Sequence, residues 1–101
     1  GAERAAWTAL QLEPGSAESW ALVADLALGK EQLSLARVRA EQSLALGVKG
    51  DAAARAHLVL GRVALGTGDF EAAADSLRAG QAAGSQDAGL VKRLKDLAND
   101  L

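Results

Sequence analysis

Apolar residues recur along this chain with the three- to four-residue spacing of amphipathic helices, and short breaks divide the pattern into six segments. The spacing predicts helices near residues 2–12, 16–28, 31–46, 52–65, 70–83 and 88–99. No segment shows the strict alternation that is typical of a β-strand. Because the breaks are only about three to six residues long, consecutive helices should pack antiparallel as hairpins.

The breaks contain residue types that favour helix starts. Ser16, Asp51 and Asp69 each precede or open an apolar run, and all three are suited to cap a helix. Gly61 and Gly80 fall inside predicted helices, where glycine costs about 1 kcal/mol relative to alanine. Close approach of a neighbouring helix is the usual compensation for that cost.

The segments repeat with a period of one helix hairpin. The sequence Leu-Ala-Leu-Gly at 26–29 reappears as Val-Ala-Leu-Gly at 63–66, which is 37 residues later. Three positions of the first predicted helix hold small residues again 34 residues later: Ala2, Ala6 and Ala9 correspond to Ala36, Ala40 and Ser43. Periods of this length are typical of helical repeat proteins.

Several residues of these units resemble the tetratricopeptide repeat (TPR) family. Trp20, Val23 and Ala24 stand at the family's Trp-Leu-Gly positions, Ala36 stands at its small-residue position, and the sequence Leu-Gly at 60–61 matches the same pair in the next unit. The sequence Gly-Asp-Phe-Glu-Ala-Ala at 68–73 resembles the family's turn into its second helix. His57 departs from the pattern, because the family has an aromatic residue there.

The resemblance implies an all-α fold, a right-handed α-solenoid of antiparallel helix hairpins in a single domain over residues 1–101. Residues 1–14 would be the second helix of a truncated repeat, 16–50 and 51–86 two repeats, and 87–101 a C-terminal capping helix. A related type of helical solenoid is the alternative.

The composition argues against several classes of partner and ligand. The 13 acidic and 11 basic residues give a net charge of −2 without a clustered basic face, which argues against nucleic acid as a partner. No apolar run approaches the ~20 residues that cross a bilayer, so direct membrane insertion is not expected. There is no cysteine and only one histidine, so we expect no metal site and no cofactor. The alanine-rich, cysteine-free composition leans towards a bacterial source.

The residues that have a reactive side chain do not form a catalytic pattern. His57 sits at a core-edge position of its helix, where a packing histidine is more common than a catalytic one. Asp69 and Glu71 lie at a helix start, where caps and the helix dipole favour carboxylates. The glycine-rich turn at 66–69 has no lysine that would complete a phosphate-binding loop. The chain is therefore predicted not to be an enzyme.

The resemblance implies a partner-binding groove on the first helices of the hairpins. The matching positions are Glu18, Leu22, Asp25, Arg55, Leu58, Val59 and Arg62. Glu18 is expected beside Arg55, and Asp25 beside Arg62, which could also meet Asp96. These charges would either recognise a partner or form lateral ion pairs that hold the units in register, each worth about 0–1 kcal/mol. The carboxylate clamp of chaperone-binding members is not expected, because Asp25 would repel a carboxylate and only Arg93 fits that pattern.

Two functions follow from this interpretation. The first is a non-catalytic scaffold that binds a peptide or helix of a partner protein in its concave groove. The alternative is a self-association or spacer segment of a longer repeat protein without its own peptide ligand. In that case the exposed edge of the first predicted helix, with Trp7 and Leu10, would be the contact surface, and a homo-oligomer would form through it.

Overall fold

A computed structural model describes residues 16–47 and 49–101, and this part of the chain is entirely helical, without a strand. It has five α-helices: α1 (Ala17–Gly29), α2 (Leu33–Ala45), α3 (Gly50–Gly66), α4 (Phe70–Ala82) and α5 (Ala88–Asp100). Each of the five helices predicted between residues 16 and 99 is thereby confirmed to within about two residues. The helix predicted at residues 2–12 lies outside the described residues, as do Trp7 and Leu10.

Side chains at the helix starts explain where three of the helices begin. Ser16 Oγ accepts a hydrogen bond from the Ser19 amide, and Asp69 Oδ1 accepts one from the Ala72 amide. Both predicted caps are confirmed. Asp87 caps α5 in the same way, through the amides of Gly89 and Leu90.

The predicted cap at Asp51 is wrong. α3 begins one residue earlier, at Gly50, and its N-cap residue is Lys49 without a side-chain cap bond. The Asp51 carboxylate instead accepts hydrogen bonds from the connection between α4 and α5, namely from the Ser85 hydroxyl at 2.6 Å and the Gln86 amide at 2.9 Å. It therefore ties two separate parts of the chain together.

Each helix packs against the next one in the chain, and α3 also packs against both α1 and α5. The central helix α3 is thus in contact with all four of the other described helices. Among these five helices, α2 and α4 have no close backbone contact with each other, and neither do α1 and α5. One side of the molecule is consequently formed by α1, α3 and α5, which are every second helix of the described chain.

Two hydrophobic cores lie on the two sides of α3. The first is rich in alanine and joins α1, α2 and α3 through Ala21, Ala24, Ala27, Ala36, Ala40, Ala56, Val59 and Val63. The second is rich in leucine and joins α3, α4 and α5 through Ala54, Leu58, Leu77, Leu90, Leu94 and Leu97. Alanine lets helices approach closely, whereas the leucines of α5 fill the wider space where that helix meets two others.

Two buried glycines mark the closest approaches in the second core. A methyl group added at Gly61 would lie 2.6 Å from Leu97 Cδ2 and 3.5 Å from Ser76 Cβ. One added at Gly80 would lie 2.9 Å from Leu94 Cδ2 and 3.4 Å from His57 Cβ. Helix packing therefore uses the absence of a side chain at both positions, as the sequence predicted.

None of the described helices has both the length and the hydrophobicity needed to cross a bilayer.

Candidate partner-binding face

Three charged side chains from three different helices meet on the side of the molecule formed by α1, α3 and α5, which we call the α1–α3–α5 face. Asp25 of α1 accepts two hydrogen bonds from Arg93 of α5, at 2.7 Å to Oδ1 and 2.8 Å to Oδ2. Arg55 of α3 donates to the same carboxylate, at 2.7 Å to Oδ2. Since α1 and α5 have no close backbone contact, the Arg93 side chain spans the gap between them.

The protein environment holds this cluster in its charged form. Burial raises the pKa of the Asp25 carboxyl, but the hydrogen bonds and charges of Arg93 and then Arg55 outweigh burial, so that the pKa is lowered from its ordinary value. The pKa of Arg93 is raised, mainly by its hydrogen bonds to Asp25. The Asp25 side chain is only 14% exposed, whereas that of Arg93 is 40% exposed. Asp25 is thus a shielded carboxylate between two arginines that solvent still reaches.

A third ion pair, separate from the Asp25 cluster, lies near the other end of the same face. Arg62 of α3 donates to Asp100 of α5 at 2.5 Å, with the two side chains 29% and 52% exposed. The Asp25 cluster and the Arg62–Asp100 pair therefore both include residues of α3 and α5, and α5 is the segment that the sequence predicted as a capping helix. Arg93 and Asp100 were not among the predicted site residues. The 34-residue offset could have found Arg93, because it places Arg93 at the same position of its unit as Val59.

The predicted pairing of charges is wrong. Asp25 pairs with Arg55 and Arg93 rather than with Arg62, and Arg62 pairs with Asp100 rather than with Asp96. Glu18 is exposed and forms no ion pair within the described part of the chain. The prediction assumed that charges at equal positions of neighbouring units face each other. Arg55 precedes Arg62 by about two helical turns. Because the arginine side chain is long, it can pair with a carboxylate that stands at a different position of the neighbouring unit.

Two of the predicted groove residues are core residues. Leu58 and Val59 are both 0% exposed, and each belongs to one of the two cores beside α3. Neither can contact a partner unless the core opens, so both are removed from the candidate site. Leu22 of α1 is partly exposed and packs against Val23 of the same helix. It is the predicted apolar residue that stays accessible on the first unit.

The arrangement of the arginines bears on the carboxylate clamp. Arg93 is the residue that fits such a clamp, and it is occupied by the Asp25 carboxylate of the chain itself. A carboxylate from a partner would therefore have to displace Asp25.

The candidate catalytic residues His57 and Asp69 lie in packing and capping environments in the described part of the chain. His57 is half-buried between α3 and α4, near Gly80, and burial lowers its pKa. Asp69 is engaged as a helix cap, and the Thr67 hydroxyl of the glycine-rich turn donates to the Ala64 carbonyl. Within residues 16–47 and 49–101, no three His, Cys, Asp or Glu side chains are close enough together to hold a metal ion.

Comparison of the chain with protein-family models, with curated proteins and with solved structures finds no significant match.

Proposed function

We propose that this chain is a non-catalytic scaffold that binds a peptide or helix of a partner protein on the α1–α3–α5 face, with its helices arranged as a right-handed, TPR-like α-solenoid. The observation that carries the proposal is the Asp25 cluster, which brings side chains of α1, α3 and α5 to one surface. The packing of consecutive helices, together with that of α3 on α1 and α5, supports the solenoid, because repeat arrays make contacts of this kind.

The proposed contact residues follow from their exposure. Glu18 and Leu22 of α1, Arg55 and Arg62 of α3, and Arg93 and Asp100 of α5 are accessible to a partner to different degrees. Asp25 lies beneath this surface and orients Arg55 and Arg93 through the hydrogen bonds that it accepts from them. The charged side chains would fix the orientation of the partner, while Leu22 would supply apolar contact.

One observation favours the alternative function, a spacer or self-associating segment. Arg55, Arg62 and Arg93 are each already paired with a carboxylate of the chain itself. Lateral pairs of that kind hold neighbouring helices in register without any ligand.

The experiment that separates the two functions begins with capture of partners on the immobilised chain, followed by titration of the purified partner. Arg62→Glu should weaken binding, and raising the salt concentration should reduce the difference from wild type because the ion pair is exposed. Leu22→Ala should weaken binding with little dependence on salt. Arg37→Glu on α2, away from the face, is the control with the same charge change and should bind as wild type does.

Normal binding by both face variants would contradict the scaffold proposal. If Trp7→Ala or Leu10→Ala then abolished capture, the working surface would be the edge of the first predicted helix, as the self-association alternative requires.

A further inference from the structure

A second surface lies on the opposite side of α5. Lys95 follows Arg93 by two residues, which places it about 200° around the helix from Arg93. There, a groove of about 330 Å³ runs between α4 and α5, lined by Gly80, Gln81, Gly84, Ser85, Val91, Leu94 and Lys95. This α4–α5 groove is separate from the α1–α3–α5 face and plays no part in the function proposed above.

The floor of the groove is apolar and buried. Leu94 is 3% exposed and packs against Gly80, so the floor belongs to the second core. Val91 stands at the edge with 37% of its surface exposed. Gly80 and Gly84 contribute no side chains, which leaves room for side chains of another molecule.

The alignment of α5 with α3 favours a helix as the occupant of the groove. On α3, Ala54, His57 and Gly61 form the side that α4 covers, since the backbone and side chains of α4 approach all three closely. Thirty-four residues later the same positions of α5 are Ala88, Val91 and Lys95, and all three are exposed. The side of α5 that corresponds to a helix-binding side of α3 therefore lacks a helix among the described residues.

The charge of the groove specifies the occupant further. Lys95 stands at the position that corresponds to Gly61, where an added methyl group would meet Leu97 of α5 at 2.6 Å and Ser76 of α4 at 3.5 Å. A helix lying on this side of α5 would therefore have an ammonium group against it. Lys92 is on the same exposed side of α5, one turn before Lys95. In the described part of the chain neither lysine forms an ion pair, although Asp96 lies one turn beyond Lys92.

We propose that the α4–α5 groove binds a helix of another protein that carries acidic side chains beside its apolar stripe. The apolar side chains lie on Leu94 and Val91, between the glycines of α4 and the outer side of α5. The carboxylates lie within reach of Lys95 and Lys92. A helix of the same shape with basic side chains at these positions meets like charges instead and binds more weakly.

Fluorescence anisotropy of the 101-residue chain with a labelled synthetic helix tests this proposal. The probe has a leucine stripe flanked by glutamates, and its matched control has lysines in place of the glutamates. The glutamate probe should bind more tightly than the lysine control, and Lys95→Glu should weaken it by about five- to tenfold, more at low salt than at high salt. Arg37→Glu, which makes the same change of charge on α2, should leave binding unchanged.

Val91→Glu provides a second test, because Val91 is exposed and its replacement leaves the core intact. It should abolish binding of the glutamate probe while the circular dichroism spectrum stays that of wild type. Equal binding of the two probes, or equal effects of Lys95→Glu and Arg37→Glu, would overturn the proposal. Absence of probe binding, together with concentration-dependent self-association that Val91→Glu removes, would also overturn it and assign the groove to a second copy of this chain.

Discussion

Arg93 donates two hydrogen bonds to the carboxylate of Asp25, a residue 68 positions earlier in the chain, and so connects the first and the last described helix. The same carboxylate also accepts from Arg55 on the helix between them. One aspartate thereby links three helices, and its loss should affect all of them together.

Asp25→Asn should destabilise the folded chain by about 1–3 kcal/mol, the usual range for a hydrogen-bonded charge that is mostly buried. The arginines left behind are partly exposed, so water can solvate them and limit the loss. Urea unfolding of both chains measures the difference in the free energy of unfolding. Asp75→Asn, in the exposed Asp75–Arg78 pair of α4, is the control and should change that free energy much less.

The contribution of Asp25 should depend on pH in a defined direction. Because its pKa is lower in the folded than in the unfolded state, its stabilisation is fully present above the unfolded value, about 3.9, and is lost as the pH falls through the folded value. The gap in stability between wild type and Asp25→Asn should therefore be constant from about pH 7 to pH 5 and should close below about pH 4. A gap that widened on acidification would contradict the assignment of a charged, arginine-paired carboxylate.

The close approach at Gly61 predicts a contrast between two substitutions to leucine. Gly61→Leu forces a side chain against Leu97 and the neighbouring backbone of α4, so it should cost on the order of 1–3 kcal/mol or more. Lys95→Leu changes the residue at the corresponding position of α5, which is exposed, and should leave the folded state intact. Thermal melts that showed similar losses for the two variants would mean that the repeat alignment of α3 with α5 is wrong.

The helices and two of the three predicted helix caps could be predicted from the sequence, because their causes are local. The apolar spacing determined the helices, and short side chains such as Ser16 and Asp69 cap them with hydrogen bonds over three residues. Gly61 and Gly80 indicated close helix approach, because a glycine in the middle of a helix needs compensation of that kind.

The pairing of charges on the face and the burial of two predicted groove residues could not be predicted, because both depend on how whole helices lie against each other. The position of α3 in contact with all four other helices buries both Leu58 and Val59, although the apolar spacing of α3 alone does not distinguish a helix covered on one side from one covered on several. The ion pairs of Asp25 likewise depend on the reach of arginine side chains between helices.

The burial of Leu58 predicts that it and Leu22 play different roles. Leu58→Ala leaves a cavity in the leucine-rich core and should cost about 2–5 kcal/mol of stability. Leu22→Ala removes a partly exposed side chain and should cost clearly less. Urea midpoints of the two variants measure this contrast, and equal losses would mean that Leu22 is also a core residue and unsuitable as a contact residue.

The bonds from Asp51 to the α4–α5 connection predict a local rather than a global effect. Its carboxylate accepts hydrogen bonds from the Ser85 hydroxyl and from the amides of Gln86 and Asp87, and these bonds lower its pKa. Asp51→Ala removes all three acceptor contacts and leaves the core residues of α5 in place. Hydrogen exchange of the amides at 86–90 should therefore become faster, while the amides of α1 and α2 should exchange as in wild type.

Because the folded pKa of Asp51 is lowered, the protection at 86–90 in the wild-type chain should fall on acidification through that value, after correction for the intrinsic exchange rate. Ser85→Ala removes one of the three bonds to Asp51 and the bond that the Ser85 hydroxyl accepts from the Asp87 amide, and it should give an intermediate rate. Unchanged exchange at 86–90 in Asp51→Ala would show that α5 is held by its leucines alone.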